Sequence, residues 1–360
     1  MRTAFDDASD VIRRFESDVV PGESWLQSLP WQDIIRVSGG HGILASLAAQ
    51  LRTHDMTAIA GEHEALMMEY PRRVRAKNKF LAQELRRVQK LLDDSSVRSL
   101  TFKGPALTAW AYEGLDSRTC GDIDLLIPPD AFDRVQHILE QEGYYLNTYI
   151  HGRLRQRVRR YFNRQYTFTR GQAVFHLDVH TAITSPRYGY APAFDALWDR
   201  AQIIDAEEIS LRALSSRDMV LAACYQGLKD RWRKLKHVLD INRLIRKGGF
   251  SWPAVVESAR NSASVRTLVV GSMLAQRLFE APLPPVLGQE IAGDKAAIKI
   301  CDWAEKALRA WPDEPTESLR DRIQLYASIQ DNVGGVIRYG AFGALRKVWY
   351  LYEQAYLARR

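Results

Sequence analysis

The stretch TCGDIDLLI, Thr119 to Ile127, sets two aspartates one residue apart in an otherwise apolar run. In a strand, alternate side chains share a face, so Asp122 and Asp124 point the same way. Two like charges held that close repel unless something positive sits between them. A third carboxylate stands in VFHLDVHTA, where His176, Asp178 and His180 share one face and Phe175, Leu177 and Val179 the other. Three carboxylates from neighbouring strands can hold one or two Mg²⁺ ions, which prefer oxygen ligands and keep waters or substrate phosphates. Two such ions about 4 Å apart can clamp the attacking and leaving oxygens of an in-line displacement at phosphorus. That chemistry asks a protein for positioning and charge neutralisation more than for a covalent partner.

The elements that must carry these residues are legible around them. VRSLTF, Val97 to Phe102, reads as a short strand, followed by KGPALTAWAY. Gly104 permits a tight turn there, and Pro105 fits the first position of a helix. PPDAFDRVQHILEQEGY reads as a helix that starts behind Pro128 and Pro129 and ends at Gly143. AVFHLDVHTAI is a strand by its alternation and β-branched content. A mixed α/β unit over residues 96–212 is thus expected between helical regions at 1–95 and 213–360.

In the first region, Val74, Leu81, Leu85, Val88 and Leu92 form one helical stripe with Asn78 on the same line. Ahead of it, three-four apolar spacing from Trp25 onward is interrupted at Gly39 and Gly40. Downstream, Arg153, Arg157, Arg160 and Arg164 recur at helical spacing, interleaved with Tyr161, Phe162 and Tyr166. That stretch reads either as an exposed helix surface or as a basic segment for a polyanionic acceptor. The C-terminal VWYLYEQAYLARR reads as a terminal helix docked by its aromatics.

Bulk properties narrow the classes. The 360 residues are 46% apolar and 26% charged, as in ordinary globular proteins. No apolar run is long enough to span a bilayer, and the polar start MRTAFDDASD does not read as a secretory signal. Three scattered cysteines, Cys120, Cys224 and Cys301, make neither a disulfide framework nor a zinc site, so a reducing, cytoplasmic setting is expected. The net charge of +7 suits a polyanionic partner or a phosphate-rich small substrate.

LTFKGPALTAWAYEGLDSRTCGDIDLLIP followed by HLDVH resembles the uncharacterised bacterial nucleotidyltransferases of the DNA polymerase beta superfamily. The matching positions are Lys103 and Gly104, Arg118, Gly121, Asp122, Asp124, Asp178 and His180. The resemblance implies an α+β fold: a small mixed sheet flanked by N- and C-terminal helical domains. It implies an enzyme that moves a nucleotidyl group from an NTP, with ATP the expected donor, to a hydroxyl or phosphate of an acceptor. Mg²⁺, or Mn²⁺ in its place, would sit on Asp122, Asp124 and Asp178, the last also helping to deprotonate the acceptor. Lys103, Gly104, Arg118 and Gly121 would approach the nucleotide, and so would Lys229, Lys236 and Asp240 on a later helical segment. His176 and His180 are left as acid/base or orienting groups. The expected partners are an NTP and an acceptor that is a small molecule, a peptide or protein, or less favourably RNA, with no membrane. Two alternatives stay open at this level: a metal-dependent glycosyltransferase using a nucleotide sugar, and an inactive nucleotidyltransferase-fold binding or toxin–antitoxin module.

Overall fold

A computed structural model of the chain describes residues 3–147, 162–171, 175–312 and 318–357. Five helices come first: α1 (Ala4–Glu16), α2 (Glu23–Gln27), α3 (Trp31–His41), α4 (Leu44–Thr53) and α5 (Glu64–Asp94). The 31-residue α5 buries the whole predicted stripe, Val74, Asn78, Leu81, Leu85, Val88 and Leu92. The break expected at Gly39 and Gly40 falls instead at Gly42, where α3 ends with φ +72°. Gly40 serves packing: a Cβ there would come within 1.9 Å of the Trp311 ring.

A seven-stranded mixed sheet follows. In chain order its elements are β1 (Leu100–Thr101), α6 (Gly104–Tyr112), β2 (Ile123–Leu126), α7 (Phe132–Gln141), β3 (Tyr145–Leu146), β4 (Gln165–Arg170), β5 (Phe175–His180), α8 (Phe194–Trp198), β6 (Gln202–Asp205) and β7 (Ser210–Ala213). The spatial order is β3-β4-β5-β2-β1-β7-β6. β2 is central, parallel to β5 and antiparallel to β1. The fold is α+β, as the resemblance implied.

Two local expectations change. β1 pairs over only two residues, against six in the predicted strand. QYTFTR, at the end of the basic stretch that reads either as an exposed helix surface or as an acceptor-binding segment, is strand β4, antiparallel to β5. Its alternation decides: Tyr166 and Phe168 enter the core, while Thr167 shares the face of Asp178 opposite it. Arg153, Arg157, Arg160 and Tyr161 lie outside the described residues.

The remaining helices are α9 (Ser216–Lys229), α10 (Leu235–Lys247), α11 (Trp252–Asn261), α12 (Val265–Phe279), α13 (Pro285–Gly293), α14 (Lys295–Arg309), α15 (Leu319–Ser328) and α16 (Val333–Leu357). Buried apolar side chains form one continuous cluster from Phe5 to Ile329, so the sheet and both helical regions share a core. The last helix docks through Phe342 and Tyr339, on Phe162 and Tyr326. Tyr350 and Tyr352, expected to do that work, stand more than half exposed.

Candidate active site

The β2–β5 register places Asp124 directly beside Asp178, and Leu126 beside His180. Parallel neighbours in register present their side chains on the same face, so both carboxylates and the imidazole converge. One ligand atom from each of Asp124, Asp178 and His180 lies within 4.8 Å of the others, and all three residues are buried.

Each group has a partner already. Lys103 Nζ and His180 Nε2 both bond Asp124 Oδ1 at 3.0 Å. Burial alone would raise the Asp124 pKa, but the Lys103 ammonium and the His180 hydrogen bond hold it well below the usual carboxylate range. Burial keeps His180 below its ordinary value against the pull of Asp124, so a neutral imidazole donates Nε2–H. On β4, Thr167 Oγ1 donates to Asp178 Oδ1 at 2.6 Å and Gln165 Nε2 donates to Asp178 Oδ2.

Asp122 sits just ahead of β2, half-buried and outside the close group of three. Its pKa is raised, first by burial and then by the charges of Asp124 and Asp178. Lys103 is the residue before α6, and Gly104 opens that helix with φ +56°. Only glycine adopts that backbone cheaply, and it brings the turn against the Asp122 carbonyl, 3.4 Å from where a Cβ would stand.

The loop between α6 and β2 is held by Asn78 and by an interior cluster around Asp240. Asn78 Nδ2 donates to the carbonyls of Leu115 at 2.7 Å and Arg118 at 2.6 Å. Its Oδ1 accepts from the Cys120 amide at 3.2 Å. Arg118 and Asp240, both expected near the nucleotide, grip each other in the interior: Nε and Nη2 bond the two carboxylate oxygens at 2.7 and 3.0 Å. Tyr112 Oη adds a third bond to Asp240 at 2.7 Å. Burial raises the Asp240 pKa, yet Arg118 more than offsets it and the carboxyl stays below its ordinary value.

Lys236 donates to the Thr119 carbonyl at 2.9 Å, and burial with the nearby Arg118 charge lowers its pKa to about 8. Gly121 is exposed with open space around it. Lys229 is exposed and reaches Gln165 Oε1 at 3.4 Å. His176 is exposed at the start of β5 and is not part of the close group.

A cavity of about 350 Å³ abuts the acidic group. Lys103, Gln165, Thr167 and His180 line it, and these are the four side chains bonded to Asp124 and Asp178. Displacing them would open the carboxylates to the cavity. The set of hard carboxylate oxygens, with one imidazole beside them, fits a divalent cation such as Mg²⁺ or Mn²⁺.

Gln165 and Thr167 were not singled out from the sequence. The signal for them was the period-two pattern of QYTFTR, masked by the arginine run ahead of it. In the sequence Asn78 stands out only as a polar residue on an apolar stripe.

Neither a curated protein nor a solved structure matches the chain. A family model described as an uncharacterised nucleotidyltransferase matches residues 27–280, well over half the sequence, and takes in the whole of the sheet and the acidic group. The chain belongs to that family of nucleotidyltransferases.

Proposed function

We propose that the chain transfers a nucleotidyl group from an NTP, with ATP as donor, to a hydroxyl or phosphate oxygen of an acceptor. The observation that carries this reading is the in-register pairing of Asp124 with Asp178 at the edge of a basic, aromatic-walled cavity. Asp124 and Asp178 would hold a divalent cation, Mg²⁺ in the first instance, and Asp122 would complete a two-ion set. When bound, such ions polarise the α-phosphate and neutralise the departing pyrophosphate.

The chain's own residues then have defined tasks. Lys103 exchanges Asp124 for the triphosphate, beside the amide end of α6 at Gly104, where anions are favoured. Lys229 lies on the cavity wall and adds charge. Asp178 takes the acceptor proton as the acceptor oxygen bonds to the α-phosphorus. The bond from that phosphorus to the bridging oxygen breaks, and pyrophosphate leaves. Arg118, Asp240 and Lys236 support this by fixing the loop that carries Gly121 and Asp122, and His180 orients Asp124.

The test uses ATP labelled in turn on the α- and γ-phosphate, incubated with the full chain, Mg²⁺ and cell extract. Label from the α-phosphate should appear on an acceptor, with pyrophosphate released, and should vanish in the folded Asp122→Ala/Asp124→Ala variant. Transfer of γ-label alone, or of a hexosyl group from a nucleotide sugar, would overturn the reading.

A further inference from the structure

Five basic side chains line the cavity, Lys103, Arg164, Arg187, Lys229 and Arg346, and no carboxylate does. Lys103 and Lys229 have partners on the metal side, Asp124 and Gln165. The three arginines differ. Among the described residues none is paired with an acid. The Nε atoms of Arg164 and Arg187 are buried with no hydrogen-bond acceptor. An unsatisfied buried donor is costly, and both of these side chains line one cavity.

Arg187 is otherwise held from behind: its guanidinium lies 4.6 Å from the Tyr188 ring and 5.5 Å from the Tyr339 ring, and Nη2 bonds Tyr188 Oη at 2.7 Å. Arg346 comes from α16, which docks on this wall through Phe342 and Tyr339. Much of Arg346 is exposed, yet its partial desolvation against this wall, and next the charge of Arg187, weaken its hold on its proton. Converging guanidiniums without a counter-ion repel, and a dianion held in the cavity between them would cancel the repulsion.

We propose that the acceptor of the transferred group carries a phosphate, and that Arg164, Arg187 and Arg346 bind it. The proposal rests on the nucleotidyl-transfer reading, which gives the NTP its own grip at Lys103, Gly104 and the carboxylates. Arg164 and Arg187 fall within the family match and Arg346 beyond its end at residue 280. The family core therefore supplies two arms of the site, and the C-terminal helix supplies the third.

Inorganic phosphate is the probe, titrated calorimetrically into the full chain, free and then saturated with a non-hydrolysable ATP analogue and Mg²⁺. Phosphate should bind in both states at one site. Arg346→Gln and Arg187→Gln should each weaken it about tenfold or more, and leave nucleotide affinity within about twofold. Arg346→Lys, which keeps the charge but loses the fork, should fall between wild type and Arg346→Gln and guards against a folding defect.

Absence of phosphate binding to a folded chain overturns the proposal. So does displacement of phosphate by the nucleotide, or an equal loss of nucleotide affinity in Arg346→Gln, because each makes the cluster a triphosphate grip. Phosphate binding without any nucleotide binding would instead fail the transfer reading and leave the arginine site standing.

Discussion

At the scale of single residues, the paired carboxylates Asp124 and Asp178 arrive already hydrogen-bonded, and Asp124 is charge-compensated as well. Asp124 is buried and ionised because Lys103 and His180 share its Oδ1. Removing a hydrogen-bonding neighbour of a metal-binding carboxylate typically costs 10- to 100-fold in affinity or activity, so Gln165→Ala and Thr167→Val should each lower transfer by about that range. Steady-state assays with circular dichroism as the folding control would check this, and unchanged rates would remove β4 from the machinery.

Gly104→Ala is a different kind of test. Its φ of +56° should cost a side chain about 1–2 kcal/mol of stability, readable in a denaturant titration. The sequence displayed Asp122, Asp124 and Asp178 because carboxylates inside an apolar run are conspicuous, and Lys103 through its place before Gly104 in the family's pattern. It could not show that His180 would reach across to Asp124. Only the parallel register of β2 with β5, two residues on, brings that ring there.

At the scale of elements, the loop from Leu115 to Cys120 depends on α5 and α10. Asn78 makes three hydrogen bonds to loop backbone, so Asn78→Leu leaves three buried groups unpaired and should cost about 2–4 kcal/mol. A loss below about 0.5 kcal/mol in chemical denaturation would contradict that role. Asp240→Ala should cost about 3–5 kcal/mol by stranding the Arg118 charge, and Arg118→Met with Asp240→Leu should recover much of it. A double variant no more stable than the single one would refute a mainly structural pair.

The long stripe of α5 was plain in the sequence because its period persists over many turns. The edge strand β6, its neighbour β7 and the two-residue β1 were obscure, because runs so short carry no measurable alternation. β4 was hidden by the charge run before it.

At the scale of the whole molecule, one core ties the helical regions to the sheet, and His41 sits where the N-terminal helices meet the C-terminal ones. It is fully buried, its Nδ1 accepts from the Leu235 amide of α10 at 3.4 Å, and its ring lies 5.5 Å from that of Trp311. Burial, and then the Lys234 charge, lower its pKa from 6.5 to about 4. The folded chain therefore binds fewer protons than the unfolded chain between those values. His41's contribution is fully present above pH 6.5, declines as pH falls toward about 4, and levels off below that.

This residue should steepen the stability–pH curve by up to about 1.4 kcal/mol per unit in that window, and His41→Gln should flatten it. Equal slopes for both proteins in urea titrations at pH 7.5 and 4.5 would contradict this. All three cysteines are buried, and burial pushes Cys224 and Cys301 up to about 12, so thiol labelling should be slow until the core opens. Among the described residues no helix is long and apolar enough to cross a membrane, in keeping with the hydropathy of the sequence. The wall that α16 adds to the cavity was not legible, because nothing local in Arg346 marks which side of the molecule its helix will meet.

Nucleotidyl transfer at this site requires Asp124 and Asp178 to act together on a divalent cation. Its most direct test is a Mn²⁺ titration followed by electron paramagnetic resonance, in the presence of a non-hydrolysable ATP analogue, on wild type and on a folded Asp178→Asn variant. Wild type should bind the ion and the variant should bind it about 100-fold more weakly. Equal affinity in the two proteins would show that the paired carboxylates are not the metal site.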